Sequence, residues 1–145
     1  MNYFKIYKPK KNPEGTLWSK FSLFIRLRDS DERGYCRCIS CGLVRHYKEM
    51  DAGHFIPQGS SYALKYNEDN VHAQCTSCNK FKSGNLVDYR INLVNKIGEQ
   101  KVKRLETLYQ MKQTKKHLDE FEIKVLSKEY HQKINDLLNT KFINN

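Results

Sequence analysis

No stretch of this chain approaches the roughly 20 consecutive apolar residues that a bilayer-spanning helix needs. The opening residues, Met1 to Lys5, also lack the apolar core of a secretory signal. These two absences give a membrane role no support; the cytoplasm is the compartment that the cysteine usage favours. No internal similarity recurs at the period of roughly 20–50 residues that marks repeat arrays. A complete internal disulfide framework is excluded as well, because the cysteine count is five. Four of the five sit at metal-ligand spacing, which fits a reducing compartment better than a secreted one. Acidic residues are few, with 16 Asp and Glu against 26 Lys and Arg, for a net charge of +10. An excess of that size favours a polyanionic partner, since neutralising phosphates releases condensed counterions. Nucleic acid is the natural reading, and simple solubility is the plainer reading of the same charge. At 145 residues the chain fits one domain with a modest core that a metal would stiffen.

What the sequence does contain is concentrated in its middle. Cys38-Ile-Ser-Cys41 and Cys75-Thr-Ser-Cys78 are two C-x-x-C pairs. Each C-x-x-C turn can aim both sulfurs inward from one tight loop, so the two together supply the four thiolates of a closed tetrahedral Zn²⁺ site. Cys36 is the odd cysteine; it shares a strand face with Cys38, but the C-x-x-C pair has the better reach, and Cys36 reads as structural. The gap between the pairs is longer than in common zinc ribbons and predicts a structured insert. That insert holds Asp51-Ala-Gly-His54-Phe-Ile-Pro57 and Asn70-Val-His72.

This arrangement resembles the HNH endonuclease motif, in which a His follows the first C-x-x-C, an Asn ends the next loop, and the second C-x-x-C runs into Asn or His. The matching positions here are His54, Asn70 and Asn79. A wider match runs from Leu27-Arg-Asp29 and Gly34-Tyr-Cys-Arg-Cys38 through the insert to Gly84-Asn-Leu-Val-Asp-Tyr-Arg90. It resembles the phage NinG (Rap) recombination-nuclease family over roughly the middle half to two thirds of the chain. Members of that family are longer and carry a further cysteine-rich N-terminal piece.

The resemblance implies a metal-dependent DNA endonuclease acting on branched or joint DNA in phage recombination. It makes His54 the general base, because a neutral imidazole titrates close enough to working pH to take a proton from water. Asn79 corresponds to a ligand of the catalytic ion, and oxygen donors of that kind suit Mg²⁺ or Mn²⁺. Asn70 corresponds to the amide that pins the loop presenting the histidine. Many such sites carry a carboxylate or His just before the catalytic His, where this chain has Gly53. Asp51 is the nearest carboxylate and reaches the ion only if Gly53 allows a bulge. His72 is the reserve candidate, as a metal ligand, a substrate contact or a support for the knuckle. Lys80, Lys82 and Arg90 are candidate phosphate contacts. The competing reading is a non-catalytic zinc-knuckle DNA-binding protein.

The expected fold class is α+β: a small zinc-stabilised β-β-α-metal core, HNH- or treble-clef-like, with flanking α-helices. Residues 1–15 read as a basic arm, 16–98 as the core with its leading helix, and 99–145 as a helical extension. Within these, Leu17, Trp18, Phe21, Phe24 and Ile25 recur at helical spacing from Thr16, a plausible N-cap, to Arg28. Strands are expected at Tyr35–Cys41, Arg45–Lys48, Ala52–Ile56 and Val71–Gln74, with a long polar loop over 57–70 and the unit's helix starting near Cys78. Helices follow over Leu86–Ile97, closed by Gly98, then through Val102, Leu105 and Tyr109, then over Asp119–Phe142. The last of these has apolar positions enough to pack on the core or on a second copy of the chain, and a homodimer is therefore among the expected arrangements.

Overall fold

The computed structural model describes residues 12–59, 62–111 and 117–142. Helix α1 spans Pro13–Arg28 and begins before Thr16. Its cap is Asn12, whose Oδ1 accepts the Glu14 and Gly15 amides at 3.0 and 3.3 Å. Pro13 then occupies the first helical position, where its missing N–H costs nothing. Residues 13–15 of the expected arm are thus helical, and residues 1–11 lie outside the described residues. Leu17, Phe21, Phe24, Ile25 and Leu27 are buried, so the aromatic stripe is core and not a stacking surface.

Strands β1, Tyr35–Arg37, and β2, Val44–His46, form a short antiparallel pair with the first C-x-x-C turn between them. Gly42 has a φ of +78°, a left-handed conformation that lets the turn close without a side-chain clash. A second hairpin joins β3, Met50–His54, to β4, Val71–Cys75. Its register is unbroken, with Asp51 opposite Gln74, Gly53 opposite His72 and His54 opposite Val71. β3 therefore starts two residues earlier than expected, and Phe55 and Ile56 leave the strand to enter a separate apolar cluster. The loop between β3 and β4 holds a short helix α2, Tyr62–Lys65. Leu64 of that helix is fully buried, so an apolar anchor holds what reads as a polar loop.

Where a helix was expected from Cys78, the chain makes one π-helical turn, Ser77–Phe81. Ser83, Gly84 and Asn85 then all have positive φ, at 49°, 85° and 43°, and this run of left-handed residues stops the turn from propagating. Helix α3, Leu86–Ile97, follows and ends at Gly98, with α4 at Glu99–Gln110 and α5 at Glu120–Phe142. The result is a mixed α+β fold with two small antiparallel sheets.

Two apolar clusters flank the second hairpin. One joins α1 to Met50, Ala52, Val71 and Ala73 and is completed by Tyr130 and Ile134 of α5. The other joins Phe55, Ile56 and Leu64 to Tyr89 and Leu93 of α3 and Val102 and Leu105 of α4. The last helix thus packs on α1. Lys141 reinforces the contact by donating from Nζ to the carbonyls of Leu27, Arg28 and Ser30 at 2.7, 3.0 and 2.6 Å. These carbonyls lie at and just beyond the end of α1, where a cation suits the helix dipole. Among the described residues no helix is long and apolar enough to cross a membrane.

Candidate metal centre and active site

The two C-x-x-C turns meet. The sulfurs of Cys38, Cys41, Cys75 and Cys78 all lie within 4.8 Å of one another, and those of Cys41 and Cys75 are 3.7 Å apart. Tetrahedral Zn–S bonds of about 2.3 Å place sulfurs roughly 3.8 Å from each other, so the four could hold an ion such as zinc. The Cys75 amide points at the Cys38 sulfur at 3.3 Å, and the Asn85 side chain at the Cys78 sulfur at 3.5 Å. Such donors offset the negative charge of a thiolate cluster. Cys36 stands apart: its thiol donates to the Arg26 carbonyl at 3.2 Å, and burial pushes its pKa up to about 11. It is a core thiol.

His54 closes β3 on the α1 side of the hairpin. Its ring stacks on Trp18 with centroids 5.3 Å apart, and its Nε2 lies 2.9 Å from the Lys65 carbonyl of α2. A carbonyl can only accept, so Nε2 carries the proton and Nδ1 keeps the lone pair. Burial lowers the His54 pKa and outweighs the opposing pull of that carbonyl, which favours the neutral ring at neutral pH. Asn70 is completely buried and links the loop that carries α2. Its Oδ1 accepts the Ile56 amide at 2.8 Å, and its Nδ2 donates to the carbonyls of Ile56 and Leu64, each at 2.9 Å. That amide fixes the loop whose next residue, Lys65, orients His54.

Asp51 and Asn79 are brought together, with the Asn79 Nδ2 donating to Asp51 Oδ2 at 3.0 Å. The contact needs no bulge at Gly53, because β3 and β4 pair without interruption. The glycine has another reason: a β-carbon at position 53 would lie 2.0 Å from Gln74 Oε1. No side chain, a carboxylate included, fits there while Gln74 keeps its place. Gln74 is itself held by donating to Ser40 Oγ and the Gly84 carbonyl at 2.8 and 2.6 Å. The reach of Gln74 across the hairpin was not visible in sequence.

The remaining candidates divide. His72 has both nitrogens engaged, Nδ1 accepting from Arg28 at 2.9 Å and Nε2 donating to the Asp69 carbonyl at 3.1 Å. It supports the hairpin and offers no lone pair to a ligand. Asp29 binds the same network, accepting the Ala73 amide at 2.7 Å. Burial works against its charge, but the Arg28 guanidinium at 2.8 Å and the Lys96 ammonium at 3.2 Å outweigh it and hold the carboxyl far below the usual range. The Leu27-Arg-Asp29 motif therefore ties α1 to β4. Arg90 pairs with Glu106 at 2.6 Å and Glu99 at 3.1 Å, so its charge is spent on joining α3 to α4. Lys80 and Lys82 are exposed and form no ion pair among the described residues.

A four-cysteine knuckle built onto a hairpin with a half-buried, carbonyl-anchored histidine defines a small mixed α+β protein of the potential zinc-binding class. The family model described as "Bacteriophage Lambda NinG protein" matches residues 4–140. Protein ninG of Escherichia phage lambda is 39% identical over 118 residues, covering 81% of this chain and 53% of that protein. Protein ninG of Salmonella phage P22 is 39% identical over 119 residues, covering 81% and 54%. The chain belongs to the NinG family. It spans about half the length of the curated relatives it matches. No solved structure shows significant similarity.

Proposed function

We propose that this chain is a metal-dependent DNA endonuclease of HNH-like, treble-clef-like design, working in the host cytoplasm on branched or joint DNA during phage recombination. The observation that carries the reading is His54. A half-buried imidazole whose Nε2–H is committed to the Lys65 carbonyl keeps Nδ1 ready to take a proton from water. Its lowered pKa keeps that nitrogen unprotonated at neutral pH. Asn70 fixes the loop that supplies the carbonyl.

Asp51 and Asn79 would hold the catalytic ion. A carboxylate and an amide oxygen are hard donors, and Mg²⁺ is commonly held by one or two protein groups with water and phosphate completing its shell. The bound ion would stabilise charge on the scissile phosphate and the leaving oxygen. The branch preference follows from the family resemblance alone. Zinc in the knuckle would be structural.

A specific observation favours the second reading, a non-catalytic zinc-knuckle DNA-binding protein: among the described residues the four cysteines are the only cluster of three or more His, Cys, Asp or Glu side chains that could hold an ion. The test is incubation of zinc-loaded protein with linear duplex and four-way-junction DNA, with added Mg²⁺ or Mn²⁺. Ion-dependent cleavage supports the nuclease. Binding without cleavage in either ion supports the second reading. Equal cleavage of both DNAs keeps the nuclease and removes the branch preference.

A further inference from the structure

Phe81 is 82% exposed, more than any other large apolar side chain among the described residues. An aromatic ring left in water forgoes the stabilisation that burial would give, and it gains significance here from the cations on either side of it. It sits at the end of the π-helical turn between Lys80 and Lys82. No ring partner or cation over its face occurs among the described residues. The turn is held beside the metal centre: the Lys82 amide bonds to the Ser77 carbonyl at 3.0 Å and the Gly84 amide to the Cys78 carbonyl at 2.9 Å, and Asn85 reaches the Cys78 sulfur. Phe81 is therefore presented from a firm base, which reduces the ordering that binding would otherwise require.

We infer that Phe81 is a stacking platform for an unpaired DNA base, with Lys80 and Lys82 contacting the phosphates on either side. The inference rests on the DNA-binding part of the proposed function and names the feature of DNA that this surface reads. Stacking on an aromatic ring flanked by cations is how sequence-tolerant proteins grip single strands. A base inside an intact duplex has both faces covered and cannot use the ring. Charge argues against a second copy of the chain as the occupant, since a symmetric contact through Phe81 would bring Lys80 and Lys82 towards their own counterparts. Val87 and Ile91, at 77% and 57% exposure, are further exposed apolar side chains one turn apart on α3, and Asp88 is the acidic residue next to Val87 in sequence. One carboxylate leaves the two lysines in excess.

The test measures binding of zinc-loaded protein, without added Mg²⁺ or Mn²⁺, to a labelled oligothymidylate and to a linear duplex. Phe81→Ala is expected to weaken the oligothymidylate complex roughly 5- to 150-fold. The duplex complex should change less than about twofold, and Phe81→Trp should restore single-strand binding. The double variant Lys80→Gln/Lys82→Gln should lower the slope of log affinity against log salt on the single strand by about 1.4. Unchanged oligothymidylate binding in Phe81→Ala, or an equal loss on both DNAs, overturns the inference. So does sedimentation in which Phe81→Ala converts a dimer to a monomer, which would assign the ring to a self-contact. If Phe81→Ala is inert while wild-type protein binds and cleaves duplex, only the stacking claim fails. If Phe81→Ala behaves as expected and nothing is cleaved, the stacking claim stands without the nuclease.

Discussion

Replacing Gly53 with alanine probes the packing that surrounds the proposed site. The new β-carbon would sit 2.0 Å from Gln74 Oε1 and 2.9 Å from Gln74 Cβ and Cδ. Gln74 is fully buried and cannot swing aside without breaking its bonds to Ser40 and Gly84. The backbone at Gly53 is not left-handed, so the demand is purely for space. Forcing extra volume into a packed core costs about 1–3 kcal/mol, and two lost hydrogen bonds add about 0.5–1.5 kcal/mol each. A stiffer unfolded chain returns about 0.4–1 kcal/mol. The net expectation is a destabilisation of roughly 1–5.5 kcal/mol. For a chain of this size that lowers Tm by roughly 3–20 °C in a thermal melt of zinc-loaded protein. Gln74→Ala removes the Oε1 and Cδ contacts and leaves only the milder one with Cβ, so the double variant should be less destabilised than the sum of the singles by at least about 1 kcal/mol. A Gly53→Ala protein melting within about 2 °C of wild type, or singles that simply add in the double variant, would refute the reasoning.

Two further outcomes follow from the geometry. Purified protein should carry about one Zn²⁺ per chain, and Cys75→Ser should lose both the metal and the cooperative melt, because folding of such a knuckle is coupled to binding; folded, zinc-free wild-type protein by metal analysis would contradict this. Stability should be highest above pH ~6.5 and fall below it, since His54 and His72 both have lowered pKa values in the fold and the unfolded chain takes up their protons first. Asp29, held low, adds a further loss as pH drops through 3.8. A Tm that stays flat from pH ~7 to ~5 would count against the buried neutral histidines.

Much of this was legible in the residues. The C-x-x-C spacing anticipated the meeting of four sulfurs, and helical periodicity found α1, α3 and α5, because ligand spacing and amphipathic period are local properties. What the sequence hid depends on partners far along the chain. Thr16 looked like the cap of α1 because the apolar stripe begins at Leu17, while Asn12 lies a full turn earlier. The helix expected from Cys78 is cut to one turn by Ser83 and Asn85, two residues whose left-handed φ no pattern announced. Trp18 read as plain core and stacks on His54. Arg90 read as a phosphate contact because its two carboxylate partners lie 9 and 16 residues away. Gly53 looked like an absent ligand, and its smallness turns out to make room for Gln74 across the hairpin.

The most direct test of the proposed function is single-turnover DNA cleavage by wild-type protein and His54→Ala, both zinc-loaded, with Mg²⁺ or Mn²⁺ present. The substitution leaves the cysteine knuckle, the Asp51–Asn79 pair and the exposed lysines in place, so DNA affinity should stay within about twofold while cleavage falls roughly 10²- to 10⁴-fold. Cleavage by folded His54→Ala at the wild-type rate would contradict the account and leave the zinc-knuckle binding module as the better reading.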